Sequence, residues 1–562
     1  MKKLKFLLAS IVVATFAIYS CESYDLNGTQ DPDALPPGLS EPNFKLNSIQ
    51  TSFASFFYSI SADTRGTVRM VNQFGSYNSA ADPQNTQGQW STAYASILKE
   101  IKNFKETENQ AALPYHVAIA KILESYTLVS LVDFFGDVPY TQAMLGAANL
   151  NPGVDSGASI YDAMIVNLDE SIALLNGPVP IARPTSDLYY NGDATKWIKL
   201  ANSLKLKMYN NLRLTRDVSA PVNAILAGGN IMTSTADDFN FKYNSTASPV
   251  DSRHPDYTAN YDGSPDFYLS NSYIKLMLQD KSVVDPRTRY YFYRQSTAAP
   301  TGQNLPCTGN VNIPICYIAG SGYWARDHAD NSGLPADGPR RSVVGLYPAG
   351  GRFDASNSQA ANTGTARNNA QGAGVLNILD HSFVQFMAAE LALTEPGVTG
   401  NAATLLTSAV TNNIAKVMNF NPSLAVTNTG AVSTAIPTAA TVTSYITAVN
   451  TNFAAATGTQ AKLNVLIKEF FVASWGNGME AYNMYRRTGM PLRNAGNLGI
   501  QSPVTAAGEF VRSFPYPANA ILNNNSIEQK QITSRVFWDN NPAGTTLLKK
   551  FSLIEGSIIN NF

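Results

Sequence analysis

Residues 115–126 read YHVAIAKILESY, and residues 135–143 read FGDVPYTQA. In the first stretch, apolar side chains recur at helical spacing: Ile119, Ile122, Leu123 and Tyr126. This spacing predicts an amphipathic helix that buries one face against other helices. Gly136 and Pro139 then break the helical pattern, because glycine commonly ends helices and proline cannot continue one. The stretch therefore predicts a helix followed by a turn.

Apolar stripes of the same kind recur in several other places along the chain. They include Tyr161 to Leu175, Trp197 to Met208, Phe383 to Leu393 and the long run from Leu463 to Tyr485. These stripes predict two helical blocks, at about 46–230 and 375–490.

Between the blocks, residues 231–374 carry Gly, Pro, Ser and Asn within every apolar run. This composition predicts turns, short strands and loops, and long irregular segments in compact domains are often functional. The run from Arg289 to Tyr293 is the best strand candidate. Residues 423–442 are predicted to be an exposed loop, and the tail from about 494 is mixed.

The N-terminus carries an export signal. Lys2, Lys3 and Lys5 precede an apolar run of about 14 residues that stops at Cys21, which is too short to span a bilayer. The sequence Ile18-Tyr19-Ser20-Cys21 is typical of a bacterial lipobox, so residues 1–20 are predicted to be the signal peptide and Cys21 the lipid attachment site. The alternative is an ordinary signal with an incidental cysteine.

Residues 21–45 are polar and interrupted by proline, as suits a flexible tether, and residues 46–562 are predicted to form one domain. The formal net charge of −1 gives no sign of the basic surface that binds nucleic acid.

The two remaining cysteines, Cys307 and Cys316, are close enough in sequence for a disulfide in an oxidising compartment. The alternative is two reduced thiols.

A search for catalytic motifs finds no HExxH, no GxSxG and no phosphate-binding loop. No histidine pair has zinc-ligand spacing. The glycines of Gly476-Asn-Gly478 favour close helix packing over a dinucleotide site, because no strand precedes them. Asp133 and Asp137 lie four residues apart, but the break at Gly136 indicates that they brace a turn.

The densest mixture of aromatic, ionic and amide side chains in the irregular region lies at residues 323–331, YWARDHADN. A sugar ring stacks its C–H face on Trp or Tyr, and its hydroxyls pair with Asp, Arg or Asn. A calcium loop built from Asp327, Asp330 and Asn331 is a second interpretation, although the full calcium-loop pattern is missing. A structural salt-bridge cluster beneath the loops is the third.

Several sequence motifs together resemble those of the SusD/RagB family of nutrient-binding lipoproteins. They are the helix and FGDVPY turn quoted above, YNGD at 190–193 followed by the helix from Trp197, RRTGMP at 486–491, FPYP at 514–517 and VFWD at 536–539. The resemblance implies a mainly α fold of tetratricopeptide-like hairpins in a right-handed superhelix, with a loop-rich, minor-β insertion as the ligand surface.

The same resemblance implies a binding protein rather than an enzyme, anchored at the outer membrane and facing the cell exterior. It would capture a glycan and deliver it to a SusC-like TonB-dependent transporter. No cofactor is expected, apart from a possible structural calcium ion. In this family the ligand site forms where an early loop meets the later insertion, which nominates Trp324, Tyr323, Asp327, Phe74 and Tyr77.

Three alternatives stay open at this point. The chain could be a peptide-binding member of the family, or a lipid-anchored glycan hydrolase that needs two carboxylates about 5 to 10 Å apart. It could also be a scaffold that binds another protein through a large apolar patch.

Overall fold

The computed structural model describes residues 42–107, 112–180, 182–263, 265–279, 282–297, 321–329, 338, 340–361, 368–421, 431–491 and 507–540. Within these ranges the fold is mainly α, as predicted, with a few short strands. None of the described helices combines the length and the apolar character that a membrane span needs.

The first group of helices comprises α1 (Pro42–Thr67), α2 (Tyr77–Ala80), α3 (Gln87–Ser91), α4 (Lys99–Thr107), α5 (Pro114–Phe135), α6 (Gly157–Leu175), α7 (Ala194–Leu212) and α8 (Ser219–Gly228). A π-helical stretch, Thr92–Leu98, joins α3 to α4. Helices α5, α6 and α7 pack in succession, and α1 also packs against α5.

Residues 231–374 contain β1 (Phe239–Lys242), α9 (Pro255–Tyr261), α10 (Asn271–Leu278), α11 (Thr288–Tyr291), β2 (Phe292–Tyr293) and β3 (Val343–Val344). The chain continues with β4 (Val375–Leu379), α12 (His381–Thr394), α13 (Ala402–Met418), α14 (Ala431–Ala435), α15 (Ala439–Ala455), α16 (Gly458–Ala473), α17 (Gly478–Thr488) and α18 (Ala518–Leu522). Strand β1 pairs antiparallel with β4, and β2 pairs antiparallel with β3.

Helix α5 is the helix of the opening sequence stretch, and it ends at Gly136, where φ is +87°. Its side chains are buried on nearly every side rather than on one face, because α1, α6, α7 and the π-helical stretch surround it. Asp137 braces the following turn, as predicted: its Oδ1 accepts a hydrogen bond of 2.7 Å from the N–H of Gly157, at the start of α6.

The two arginines of the RRTG motif, Arg486 and Arg487, connect α17 to distant parts of the chain by hydrogen bonds. Arg486 donates to the carbonyl oxygens of Asp133 and Arg512. At the other end of this helix, Gly478 leaves no room for a side chain, since a Cβ would clash with the backbone of Ser61 and Arg65 in α1. The close helix packing predicted for the glycines is therefore observed at Gly478.

Two local predictions hold only in part. Residues 288–291 form helix α11, and only Phe292 and Tyr293 of the predicted strand are extended. The carboxylate of Asp285 binds the backbone N–H and the side chain of Arg287 and so stabilises a helical turn there. Residues 423–430 of the predicted exposed loop lie outside the described residues, and the remainder contains α14 and the start of α15. Helix α15 packs against α13 and α16.

Candidate functional site

Three segments meet on one side of the fold: residues 69–77 after α1, residues 267–271 before α10, and residues 323–329 with Arg341. We call this meeting point the loop junction. Backbone hydrogen bonds join the segments: Asn72 N–H to Tyr268 O (2.9 Å), Asn271 N–H to Arg326 O (2.9 Å) and Ala329 N–H to Gln73 O (2.9 Å). The structure therefore brings together the early loop and the insertion that the sequence nominates.

A stack of rings and guanidinium groups lies at the centre of the loop junction. The ring of buried Tyr268 lies 3.9 Å from the guanidinium carbon of Arg341 and 4.9 Å from that of Arg326. The ring of Phe74 meets Tyr268 edge-on, with 6.0 Å between centroids, and lies 5.5 Å from Arg326. Such cation–π contacts fix the orientation of the rings.

Phe74 differs from the other nominated aromatic residues in its exposure. Its side chain is 37% exposed, whereas Trp324, Tyr323 and Tyr77 are 2%, 3% and 3% exposed. A buried ring cannot present its face to a sugar. In this structure, Phe74 is therefore the nominated aromatic residue that can stack on a ligand.

Tyr323 and Trp324 instead contact other groups inside the protein. The ring of Tyr323 packs edge-on against Phe292 at 5.9 Å and lies 4.9 Å from the guanidinium of Arg294. Burial raises the pKa of its hydroxyl well above the usual range. The backbone N–H of Trp324 donates to Ser342 Oγ at 3.0 Å. The expectation that both residues stack on a ligand is therefore wrong, because their rings are buried.

Tyr77 links the early loop to the C-terminal part of the chain. Its ring lies 5.0 Å from the ring of His328 and 5.5 Å from that of Phe510. The hydroxyl of Tyr77 lies 3.4 Å from the carbonyl oxygen of Thr67. These contacts make Tyr77 a support beneath the loop that carries Phe74.

Buried polar atoms without a hydrogen-bond partner among the described residues lie next to Phe74 in the early loop. They are both amide atoms of Asn72, the Oε1 atom of Gln73 and, in the adjoining segment, the hydroxyl of Ser270. Buried polar groups are nearly always hydrogen-bonded, so unpaired ones call for an explanation such as a water molecule or a ligand. Sequence reasoning missed these three residues, since isolated Asn, Gln and Ser side chains carry no motif.

Asp327, nominated both as a sugar ligand and as a calcium ligand, is 5% exposed, and its Oδ1 accepts a hydrogen bond of 3.0 Å from Asn271. Burial lowers the pKa of nearby Lys275, and the charge of Asp327 partly offsets this. Asp330 and Asn331 lie outside the described residues. In the part of the chain that the structure describes, no three His, Cys, Asp or Glu side chains are placed to hold a metal ion.

Two family models together match most of the chain. One, described as "Starch-binding associating with outer membrane", matches residues 42–313. The other, described as "Susd and RagB outer membrane lipoprotein", matches residues 347–548. The chain belongs to the SusD/RagB family. This agrees with the resemblance seen in the sequence and indicates a location at the outer membrane.

Solved structures of other proteins, several of them described as SusD homologues, have the same fold. A SusD/RagB family protein from Bacteroides thetaiotaomicron is 19% identical with a TM-score of 0.64, over 90% of this chain and 100% of that one. A protein described as chitin-binding is 21% identical with a TM-score of 0.61, over 89% and 100%. A chitin-binding SusD homologue from Flavobacterium johnsoniae is 17% identical with a TM-score of 0.57, over 90% and 98%.

These similarities confirm the predicted fold class of tetratricopeptide-like helical hairpins. A comparison with curated proteins finds no match. Cys21 and the cysteine pair Cys307 and Cys316 of this SusD/RagB chain lie outside the described residues, so lipid attachment and the disulfide stay predictions.

Proposed function

We propose that this protein binds a nutrient oligosaccharide at the loop junction and delivers it to a SusC-like TonB-dependent transporter. In this proposal a lipid on Cys21 holds the protein at the outer membrane, with the loop junction facing the cell exterior. The protein binds its ligand without cleaving it. The observation that carries the proposal is the exposed ring of Phe74 beside the unpaired amide of Asn72 and the unpaired Oε1 atom of Gln73.

The chemistry of these groups suits a carbohydrate. A sugar ring needs an apolar surface for its C–H face and amide or hydroxyl partners for its hydroxyls. Phe74 supplies the first, and Arg326 with Tyr268 holds its ring in place. Asn72 supplies a donor and an acceptor that have no partner among the described residues.

A glycan is favoured over a peptide because two structural relatives are described as chitin-binding. The family description of the N-terminal match also names starch. Both relatives are distant in sequence, so they support the class of ligand and leave the particular sugar to experiment.

The experiment is a calorimetric titration of the mature protein with a panel of starch, chitin and other neutral oligosaccharides. Each mixture is then separated by chromatography. We expect saturable binding of at least one oligosaccharide, with every glycan recovered intact. Binding of peptides only, or shortened glycans that increase with protein concentration, would contradict the proposal and favour one of the alternatives.

A further inference from the structure

A second concave site is lined by residues that do not belong to the loop junction, at the edge of the β1–β4 sheet. It is a cavity of about 340 Å³ between the start of β1 and the end of α13. This volume is at the lower end of the range for small-molecule sites. It suits a ligand of one or two sugar rings.

The cavity combines aromatic walls with a polar floor. Tyr243 and Phe420 both line it, and both are only partly buried. The ring of Tyr243 is held edge-on by His254 at 4.8 Å, and the ring of Phe420 is held edge-on by Tyr347 at 5.2 Å. Two aromatic side chains held by core residues therefore line one cavity.

The floor is a buried ion-pair network whose groups are fixed by one another. Lys416 Nζ lies 2.9 Å from Asp238 Oδ2 and 2.6 Å from Asp380 Oδ1, and all three side chains are at least nine-tenths buried. The side-chain amide of Asn240 is oriented so that both its nitrogen and its oxygen are hydrogen-bonded. The nitrogen donates to Asp380 Oδ1 at 2.9 Å, and the oxygen accepts from Lys416 Nζ at 3.0 Å. His381 donates its backbone N–H to Asp238 Oδ1 at 2.8 Å.

This network determines which chemistry the cavity can accept. The ammonium of Lys416 is shared by two carboxylates, so it has little capacity left for an anionic ligand. Asp238 Oδ2 has Lys416 as its described contact and can accept a further hydrogen bond from a hydroxyl. The exposed side chains of Thr235 and Lys242 lie at the mouth. Neutral polyols fit this arrangement better than acidic sugars.

We propose that this cavity is a second carbohydrate subsite. It binds one or two neutral sugar rings between Tyr243 and Phe420, and Asp238 accepts hydrogen bonds from their hydroxyl groups. The inference rests on the proposed function as a glycan-binding protein. The cavity is built from other elements than the loop junction, so the two sites can be tested separately.

The test uses saturation-transfer NMR and calorimetry of the mature protein with maltose, cellobiose and N,N′-diacetylchitobiose, and with glucuronic acid as an acidic probe. Two variants address the cavity. Phe420→Leu keeps an apolar contact with Tyr347 but removes the ring, and Thr235→Tyr places a bulky side chain at the exposed mouth. Phe44→Leu, at a 70% exposed position in α1, is the control, and Phe74→Ala disables the loop junction.

We expect one neutral disaccharide to bind the Phe74→Ala protein, and binding to that protein to weaken by about tenfold or more when either cavity variant is added. Glucuronic acid should bind less well. Loss of all disaccharide binding in Phe74→Ala, or unchanged binding in both cavity variants, would overturn the subsite and leave the proposed function standing. Binding lost in the cavity variants but unchanged in Phe74→Ala would instead support the cavity and contradict the loop junction.

Discussion

Arg487 in α17 and Glu390 in α12 form two parallel hydrogen bonds, of 2.7 Å from Nε to Oε1 and 2.8 Å from Nη2 to Oε2. Both side chains are buried. Arg213 of α7 adds a third hydrogen bond to the same carboxylate at 2.6 Å. The second arginine of the RRTG motif, Arg487, is thus part of a cluster that joins α7, α12 and α17, which are far apart in sequence.

Arg487→Ala should destabilise the protein by about 3–5 kcal/mol, because removing one partner of a buried ion pair leaves the other charge uncompensated. Urea unfolding at pH 7 measures this. The control is Arg216→Ala, which removes a pair with Asp162 whose side chains are 45% and 55% exposed. Exposed pairs contribute only about 0–1 kcal/mol, so equal losses for the two variants would contradict the structural role of Arg487.

Glu390 should make stability depend on pH. Burial would raise the pKa of its carboxyl group, but Arg487 and Arg213 outweigh burial and lower the pKa to about 2. In the unfolded chain the pKa of this carboxyl group has the ordinary glutamate value of about 4.3. The stabilisation is therefore fully present above the unfolded pKa and is lost as pH falls from about 5 to about 2.

The measurement is the free energy of unfolding of wild type and Glu390→Gln at pH 7, 5 and 3. The difference between the two proteins should be largest at pH 7 and should shrink as the wild-type carboxylate is protonated. A difference that stays constant over this range would show that the charge of Glu390 does not stabilise the fold.

The helical part of the fold could be predicted from the sequence because its signals are local. The stripe from Ile119 to Tyr126 and the break at Gly136 both mark features of α5. The aromatic run from Arg289 was misleading, since strand propensity there is overridden by the hydrogen bonds between Asp285 and Arg287.

The candidate site could be predicted only in outline. The sequence nominates the two segments that meet, but it cannot say which ring faces solvent. Trp324 and Phe74 are both aromatic residues in polar loops, yet their exposures are 2% and 37%. The stack of Tyr268 between Arg326 and Arg341 depends on the packing of separate segments, which no local pattern records.

Trp324→Ala should lower the free energy of unfolding by about 3–5 kcal/mol, as expected for truncation of a buried tryptophan. Thermal and urea unfolding measure the loss. Trp90→Ala, at a partly buried position, is a comparison that should cost less. A Trp324→Ala protein with wild-type stability and lost glycan binding would return Trp324 to the ligand site.

Cys21→Ser should abolish attachment to the outer membrane, because stable anchoring requires acyl chains that serine would not receive. Cell fractionation in a strain without the transporter partner measures it. The variant should appear in the soluble fraction or as an unprocessed precursor. Continued partition of Cys21→Ser with outer membranes would disprove the lipobox prediction.

The most direct test of the loop junction is calorimetric titration of wild type, Phe74→Ala and the control Phe44→Ala with the tightest-binding oligosaccharide of the panel. Loss of a central aromatic contact typically costs about 2 kcal/mol, or roughly thirtyfold in affinity. We predict that Phe74→Ala weakens binding at the high-affinity site at least tenfold with an unchanged melting temperature, and that Phe44→Ala binds like wild type. Full affinity in the Phe74→Ala protein would contradict the placement of the ligand site at the loop junction.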